Sequence, residues 1–284
     1  MTSATRPELA DSPAGDRGDD ATLAVDVAQL AGAELMRLRA ATSFADPGTS
    51  DGSAQAKALR DAGDQAAEKL IAARLRQDRP ADAVLSEEAA DDAIRLSSTR
   101  VWIVDPLDGT REFAEEGRTD WAVHVALWVG GELSVGAVAL PARDLVLDSA
   151  DPPTRPAWDP SRRPRIAVSR TRPPAVTQQI AEALGAELVP MGSAGAKVAA
   201  VVLGDVDAYV HGGGQYEWDS AAPVAVARAA GLHATRLDGS PLRYNQPDPL
   251  LPDLLVCVPE LAAAILAITG TAKTGTADTT GGSA

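Results

Sequence analysis

Two stretches of different pattern predict an α+β unit followed by an α/β unit in this chain of 284 residues. In the first, apolar runs over residues 122–129 and 132–140 flank Gly130-Gly131, which signals a hairpin and hence antiparallel strands. In the second, from Arg165 onward, short apolar runs alternate with segments of helical period. Between them lie residues 150–164, with five prolines, a loop at which the two units divide.

Taken in order, residues 1–19 are rich in Asp, Ala, Pro and Gly without periodicity and read as a disordered tail. Asp20 is the expected N-cap of a first helix whose apolar stripe is Leu23, Val27, Leu30, Leu35 and Leu38. Residues 44–58, with Pro47, Gly48 and Gly52, read as a loop. A second helix follows through Leu70, Ile71 and Leu75 toward Arg79-Pro80, with Asp61 and Asp64 near its start. Strands are expected at 83–85, 101–104 and 144–148 besides the hairpin, which makes the first unit, 20–164, an antiparallel sheet with helices. The second unit, 165–268, reads as strand 166–169, helix 175–184, strand 187–191, helix 193–203, strand 208–210, helix 220–230, strand 254–258 and a last helix. From Thr269 to the end the composition is again that of a disordered tail.

The chemistry collects where these strands end. After Val101-Trp102-Ile103-Val104 comes Asp105-Pro106-Leu107-Asp108-Gly109-Thr110, at the carboxyl end of a strand, where open α/β sheets place ligands. Pro106 predicts a turn that aims Asp105 and Asp108 at one spot. Two carboxylates so placed repel, and a hard divalent cation such as Mg²⁺ relieves them, with the Leu107 carbonyl as a further oxygen ligand. Gly109 leaves room for an approaching group, and Thr110 is the expected cap of a short helix from Arg111 whose free N–H groups attract an anion. Alone, the hexapeptide also fits a tight turn. Two further carboxylate-bearing ends, Glu87-Glu88 after the strand at 83–85 and Trp218-Asp219 at a helix start, favour a metal and phosphate site.

Composition narrows the rest. An apolar content of 45% supports a core, and the single cysteine, Cys257, excludes an internal disulfide and reads as a buried thiol. No basic leader and no apolar run of the ~18 residues a membrane span needs is present, so a cytoplasmic protein with no membrane partner is expected. A net charge of −14 argues against nucleic-acid polymers, yet not against a small phosphate ester bound through cations.

The order Ser86-Glu87-Glu88, then Trp102-Ile103-Val104-Asp105-Pro106-Leu107-Asp108-Gly109-Thr110, then Trp218-Asp219-Ser220-Ala221-Ala222 resembles the inositol monophosphatase superfamily of Mg²⁺-dependent, Li⁺-sensitive phosphatases over roughly residues 21–268. Within it the likeness is greatest to the CysQ-like bisphosphate nucleotidases, which remove the 3′-phosphate of 3′-phosphoadenosine 5′-phosphate, a side-product of sulfate assimilation. The resemblance implies a layered α-β-α-β-α sandwich, and a two-fold dimer that the sequence neither supports nor excludes. It also implies a ligand set. Glu87, Asp105 and the Leu107 carbonyl would hold one Mg²⁺, Asp105, Asp108 and Asp219 a second, and Glu87 with Asp64 a looser third. Glu87, Thr110 and Asp64 would surround the attacking water, although the stretch before Asp64 departs from the family's D-x-V-T-x-x-D, with Ala58 and Asp61 at the first Asp and the Thr.

For the substrate, the resemblance points to the Gly109 and Thr110 amides for the scissile phosphate, to Asp108 and Asp219 beside it, and to Gly192-Ser193. Lys197 would suit a second phosphate. His211 stands where inositol-specific enzymes carry a carboxylate, and Tyr216 would stack on a base. Arg170 and Arg172 reach a second phosphate or stay at the surface, while His124 and His233 read as structural. Inositol monophosphatase or fructose-1,6-bisphosphatase activity, alone or as a side activity, is the alternative within the superfamily. Haloacid-dehalogenase phosphatases share a similar phrase, but their carboxylates are two residues apart rather than three. A Mg²⁺-binding module without catalysis would bind metal and release no phosphate.

Overall fold

A computed structural model describes residues 17–44 and 48–275. The tails expected at the two ends lie outside these residues, except for 17–19 and 269–275, which are helical.

Helix α1 (Arg17–Ala40) starts ahead of Asp20, so Asp20 is not its cap. Its buried carboxylate instead accepts Arg79 Nε at 2.8 Å and Arg100 Nη2 at 3.0 Å, which ties the helix to its neighbours. Helix α2 (Ser50–Asp78) also starts early, within the stretch expected as a loop. Thr49 Oγ1 accepts from the Gly52 N–H at 3.0 Å, and a first turn capped in this way tolerates Gly and Ser.

Strands β1 (Ala83–Ser86) and β2 (Arg100–Asp108), helix α3 (Thr110–Phe113), and strands β3 (Ala122–Val129), β4 (Glu132–Leu140) and β5 (Leu145–Asp148) complete the first half. Their sheet runs β1-β2-β3-β4-β5. It is mixed rather than antiparallel throughout, because residues 87–99 cross over and lay β1 parallel to β2.

The second half comprises β6 (Arg165–Ser169), α4 (Ala175–Leu184), β7 (Glu187–Met191), α5 (Ala194–Val202), β8 (Ala208–His211), β9 (Gln215–Tyr216), α6 (Glu217–Ala229), β10 (His233–Thr235), β11 (Leu250–Leu251), β12 (Leu254–Cys257) and α7 (Pro259–Gly275). The larger sheet runs β10-β12-β8-β6-β7, and β9 pairs with β11. Strands β9, β10 and β11 are too short to show alternation in sequence, and none was expected. Helix α7 continues past residue 268, where a tail was expected, because buried Thr269 donates from Oγ1 to the Leu237 carbonyl at 2.6 Å.

The layers follow from the alternation along β2. Trp102 and Val104 face a core shared with Val27, Leu35, Ile71 and Leu75 of α1 and α2. Val101 and Ile103 face the other way, into a core with Val198 of α5, Val224 of α6, and Val210 and Leu255 of the second sheet. With α4 against α7 on the far side, the order is the expected α-β-α-β-α sandwich. Among the described residues, no helix is long and apolar enough to cross a membrane.

Candidate active site

Strand β2 does not turn at Pro106. Asp105 lies opposite His124 and Asp108 opposite Ala122, so three steps on β2 answer two on β3, and the strand bulges between them. Proline suits a bulge because it has no N–H to leave unpaired. Residues three apart in a regular strand face opposite ways. The extra residue restores the phase, placing both aspartates toward α6 while Leu107 stays in the α1/α2 core. Gly109 then takes a left-handed conformation (φ 85°, ψ 42°), and α3 starts at Thr110, one residue before the expected start.

Carboxylate oxygens of Asp105, Asp108 and Asp219 lie within 4.8 Å of one another. Asp219 is presented from the first turn of α6, where its Oδ2 accepts the Tyr216 N–H at 2.6 Å. Asp105 Oδ1 accepts from the Leu107 N–H at 3.0 Å, whereas its buried Oδ2 has no hydrogen-bond partner among the described residues and lies 3.9 Å from His124 Nδ1. Burial and the charges of Glu87, Asp108 and Asp219 hold the Asp105 carboxyl well above its ordinary range. Glu87 keeps some surface in solvent, but crowding by protein, Asp219 and Asp108 pushes it up to about 7, and burial with Asp108 pushes Asp219 up to about 6. A buried orphan oxygen among mutually repelling carboxylates is the donor set of a hard divalent cation. The residues present fit Mg²⁺.

Asp108 is treated differently. Its Oδ2 accepts from Ser193 Oγ at 2.5 Å and from the Gly195 N–H at 2.7 Å, with His124 Nε2 at 3.3 Å. Burial acts to raise its pKa, but His124, Ser193 and Lys197 outweigh burial and bring it down to about 2. His124 Nδ1 lies 3.1 Å from the Trp218 carbonyl, and burial opposes its charge while Asp108 stabilises it, with a net upward shift. The ring fits because residue 195 is glycine: a Cβ there would lie 2.0 Å from His124 Nε2. His124, expected as merely structural, therefore braces the site. Its being the one polar side chain on the inward face of 122–129 was legible, whereas its place opposite Asp105 was not.

Burial, with the charges of Glu88 and Asp61, pushes half-buried Asp64 up to about 7. Thr110 opens α3 beside Gly109. On the second half, the Ser193 hydroxyl also caps α5, accepting from the Ala196 N–H at 2.9 Å, so it holds Asp108 rather than standing free for a substrate. The Gly192 N–H donates to Asp120 at 2.6 Å. Lys197 is buried and turns its ammonium onto the Gly192 and Ser193 carbonyls, at 3.1 and 2.5 Å, where it braces the loop instead of presenting a free cation. His211 Nδ1 lies 3.4 Å from the Tyr209 hydroxyl, and its buried Nε2 has no hydrogen-bond partner among the described residues. Tyr216 is exposed and stacks on Trp218, with centroids 4.7 Å apart and planes at 9°. Glu217, which the sequence did not single out, is buried and accepts from the Asn245 and Gln246 N–H groups at 2.5 and 2.8 Å, fixing the start of α6.

Comparison with known proteins agrees with this arrangement. A protein of Mycobacterium leprae named 3′-phosphoadenosine 5′-phosphate phosphatase is 53% identical over 260 residues, 88% of this chain and 93% of that protein. The Escherichia coli 3′(2′),5′-bisphosphate nucleotidase CysQ is 32% identical over 197 residues, 65% of this chain and 78% of that protein. The crystal structure of CysQ from Bacteroides thetaiotaomicron superposes with a TM-score of 0.72 at 27% identity, covering 84% of this chain and 97% of that one. The sequence profile of the inositol monophosphatase family matches residues 19–271, and the chain belongs to that family.

Proposed function

We propose that this protein is a Mg²⁺-dependent phosphomonoesterase that hydrolyses the 3′-phosphate of 3′-phosphoadenosine 5′-phosphate, giving AMP and phosphate. The observation that carries the reading is the carboxylate group around the orphaned Asp105 Oδ2, in a chain 53% identical to a phosphatase named for that substrate. Glu87, Asp105, the Leu107 carbonyl, Asp108 and Asp219 would hold Mg²⁺. When bound, the cation supplies Lewis-acid chemistry, neutralising phosphoryl charge and easing deprotonation of water. Ser193, Gly195 and His124 fix one oxygen of Asp108 and so orient the other. We assign Glu87, Thr110 and Asp64 to the attacking water and the Gly109 and Thr110 amides to the scissile phosphate. In this reading the second half selects the substrate, with Gly192 and His211 lining it and the exposed face of Tyr216 extending the Trp218 stack onto a base. A cytoplasmic location and a two-fold dimer belong to the same reading.

Phosphate release in Mg²⁺ tests it, comparing 3′-phosphoadenosine 5′-phosphate, inositol 1-phosphate and fructose 1,6-bisphosphate at equal low concentration, with EDTA and Li⁺ as controls. We expect the highest kcat/KM for the nucleotide and none in EDTA. A higher value for either other ester would overturn the substrate, and no phosphate release in Mg²⁺ would overturn the activity.

A further inference from the structure

The crossover between β1 and β2 is built inside out. In its short helical turn, Ala93–Ser97, Ile94 and Leu96 are exposed while Arg95 between them is buried. A buried guanidinium is costly unless its donors are met. Here Asp91 accepts from Nε at 2.6 Å and from Nη2 at 2.9 Å, and Nη1 donates to Asn245 Oδ1 and to the Gln246 carbonyl, both at 2.9 Å.

That contact leads on to the start of α6. Asn245 Nδ2 donates to the Arg95 carbonyl at 3.0 Å, so the two residues hold each other from both ends. The backbone of Asn245 is left-handed (φ 58°), and its N–H and that of Gln246 donate to the Glu217 carboxylate at 2.5 and 2.8 Å. Glu217 is the first residue of α6, and Asp219 stands two residues further on. Among the described residues, every hydrogen bond between the crossover, 87–99, and the second half involves Arg95.

The link matters because the carboxylates come from both halves. Glu87, Asp105 and Asp108 belong to the first and Asp219 to the second, and Asp219 and Glu87 repel each other. Packing on β3 and β4 sets the axis of α6, but its first turn lies at the rim, next to exposed Tyr216, where that repulsion acts to open the group.

We infer that Arg95 is a positioning residue for the carboxylate group: through Asn245 and Glu217 it holds the first turn of α6, and with it Asp219, against the half that carries Glu87, Asp105 and Asp108. The inference rests on those carboxylates holding a divalent cation. Arg95 hydrogen-bonds to none of them, so its contribution is to assemble the ligands before the ion arrives.

Binding of Mn²⁺ in the absence of substrate tests it, read as loss of the free-ion EPR signal, since Mn²⁺ takes the same oxygen ligands as Mg²⁺. Arg95→Met removes the guanidinium. Asn245→Gly removes only the side chain that links it to α6, at a position whose positive φ glycine adopts freely. Arg100→Met breaks the pairs of another arginine with Asp20 and Asp82, at the other end of β2 from the aspartates, and controls for lost stability. We expect Mn²⁺ affinity to fall about tenfold or more in Arg95→Met, by a smaller factor above about twofold in Asn245→Gly, and to stay within about twofold in Arg100→Met, although all three lower Tm. Affinity within about twofold of wild type in both Arg95→Met and Asn245→Gly would overturn the positioning role and leave the metal site standing. Equal losses in Arg95→Met and Arg100→Met would also overturn it, as general loosening of the fold. No binding by wild type would remove the metal reading, and this role with it. Should Arg95→Met fail to fold, Asn245→Gly against Arg100→Met decides alone.

Discussion

Asp105 and Asp108 lie on one strand, point to one side and differ in almost everything around them. Asp108 accepts from two donors of the second half, the Ser193 hydroxyl and the Gly195 amide, with the His124 ring of β3 3.3 Å away, and against burial these neighbours pull it down to about 2. Asp105 has one amide on one oxygen, while the other has no hydrogen bond among the described residues and only the His124 ring 3.9 Å away, and burial with its carboxylate neighbours pushes it up. On the proposed reading, the protein satisfies one ligand itself and leaves the other to a cation. The carboxylate cluster is thus preorganised at Asp108 and strained at Asp105, so the two flanks should respond differently to the same change.

The largest effect that would break this contrast is on turnover and stability together. Asp105→Asn and Asp108→Asn should each lower kcat/KM by about a hundredfold or more, since each removes a ligand charge. Thermal unfolding of the cation-free variants should then split them. Asp105→Asn relieves a buried, repelled carboxylate and should raise Tm, whereas Asp108→Asn strands the His124 and Lys197 charges and should lower it. Turnover within twofold of wild type for Asp108→Asn would remove it from the site, and Tm shifts of the same sign would remove the contrast.

A smaller effect isolates the preorganised flank. Gly195→Ala places a methyl 2.0 Å from where His124 Nε2 lies, so the ring or the start of α5 must shift. Denaturant unfolding should show a loss of about 1–3 kcal/mol, the usual range for overpacking. An unchanged midpoint would mean that the ring moves freely and braces nothing.

The smallest effect sharpens the strained flank. Glu87, up to about 7, and Asp219, up to about 6, bind protons more tightly in the folded cation-free protein than their ordinary values of 4.5 and 3.8. Their contribution to stability is therefore full at low pH and lost as pH rises toward 7, while Asp108 acts the other way but only below its ordinary 3.8. Mg²⁺ competes with those protons. The Tm gain from Mg²⁺ should be a few degrees larger at about pH 7.5 than at about pH 5.5, and scanning fluorimetry with an equal gain at both would contradict the crowding.

Much of this was legible in the sequence, for reasons that also mark the limit. The strand at 101–104, the hairpin across Gly130-Gly131 and the carboxylates at the ends of two strands and the start of one helix are local patterns, and local patterns survive in a single chain. The bulge was not legible as a bulge. Pro106 fits a turn as well as it fits a strand with an unpaired residue, and only the partner strand decides between them. Lys197 has the same ambiguity: its charge is visible, but whether it faces an anion or two carbonyls depends on how the loop before α5 folds back. His124 lay in a strand whose only partner in the sequence reading was 132–140, and its pairing with β2, which sets it opposite Asp105, carries no local signal.

The bulge also separates register from identity. Upstream of Asp105, alternate side chains of β2 fit two cores, and downstream the same alternation continues one residue out of step. Drawing the same residues into a regular ladder, three steps on β2 against three on β3, would leave Trp102, Ile103 and Val104 packed as before and rotate the second aspartate into the layer beneath the first two helices. Such a chain would keep its hydrophobic pattern and lose its site. Along this strand the register against β3 is the functional variable, and the same residue types in an unbulged ladder would give an intact core without an intact site.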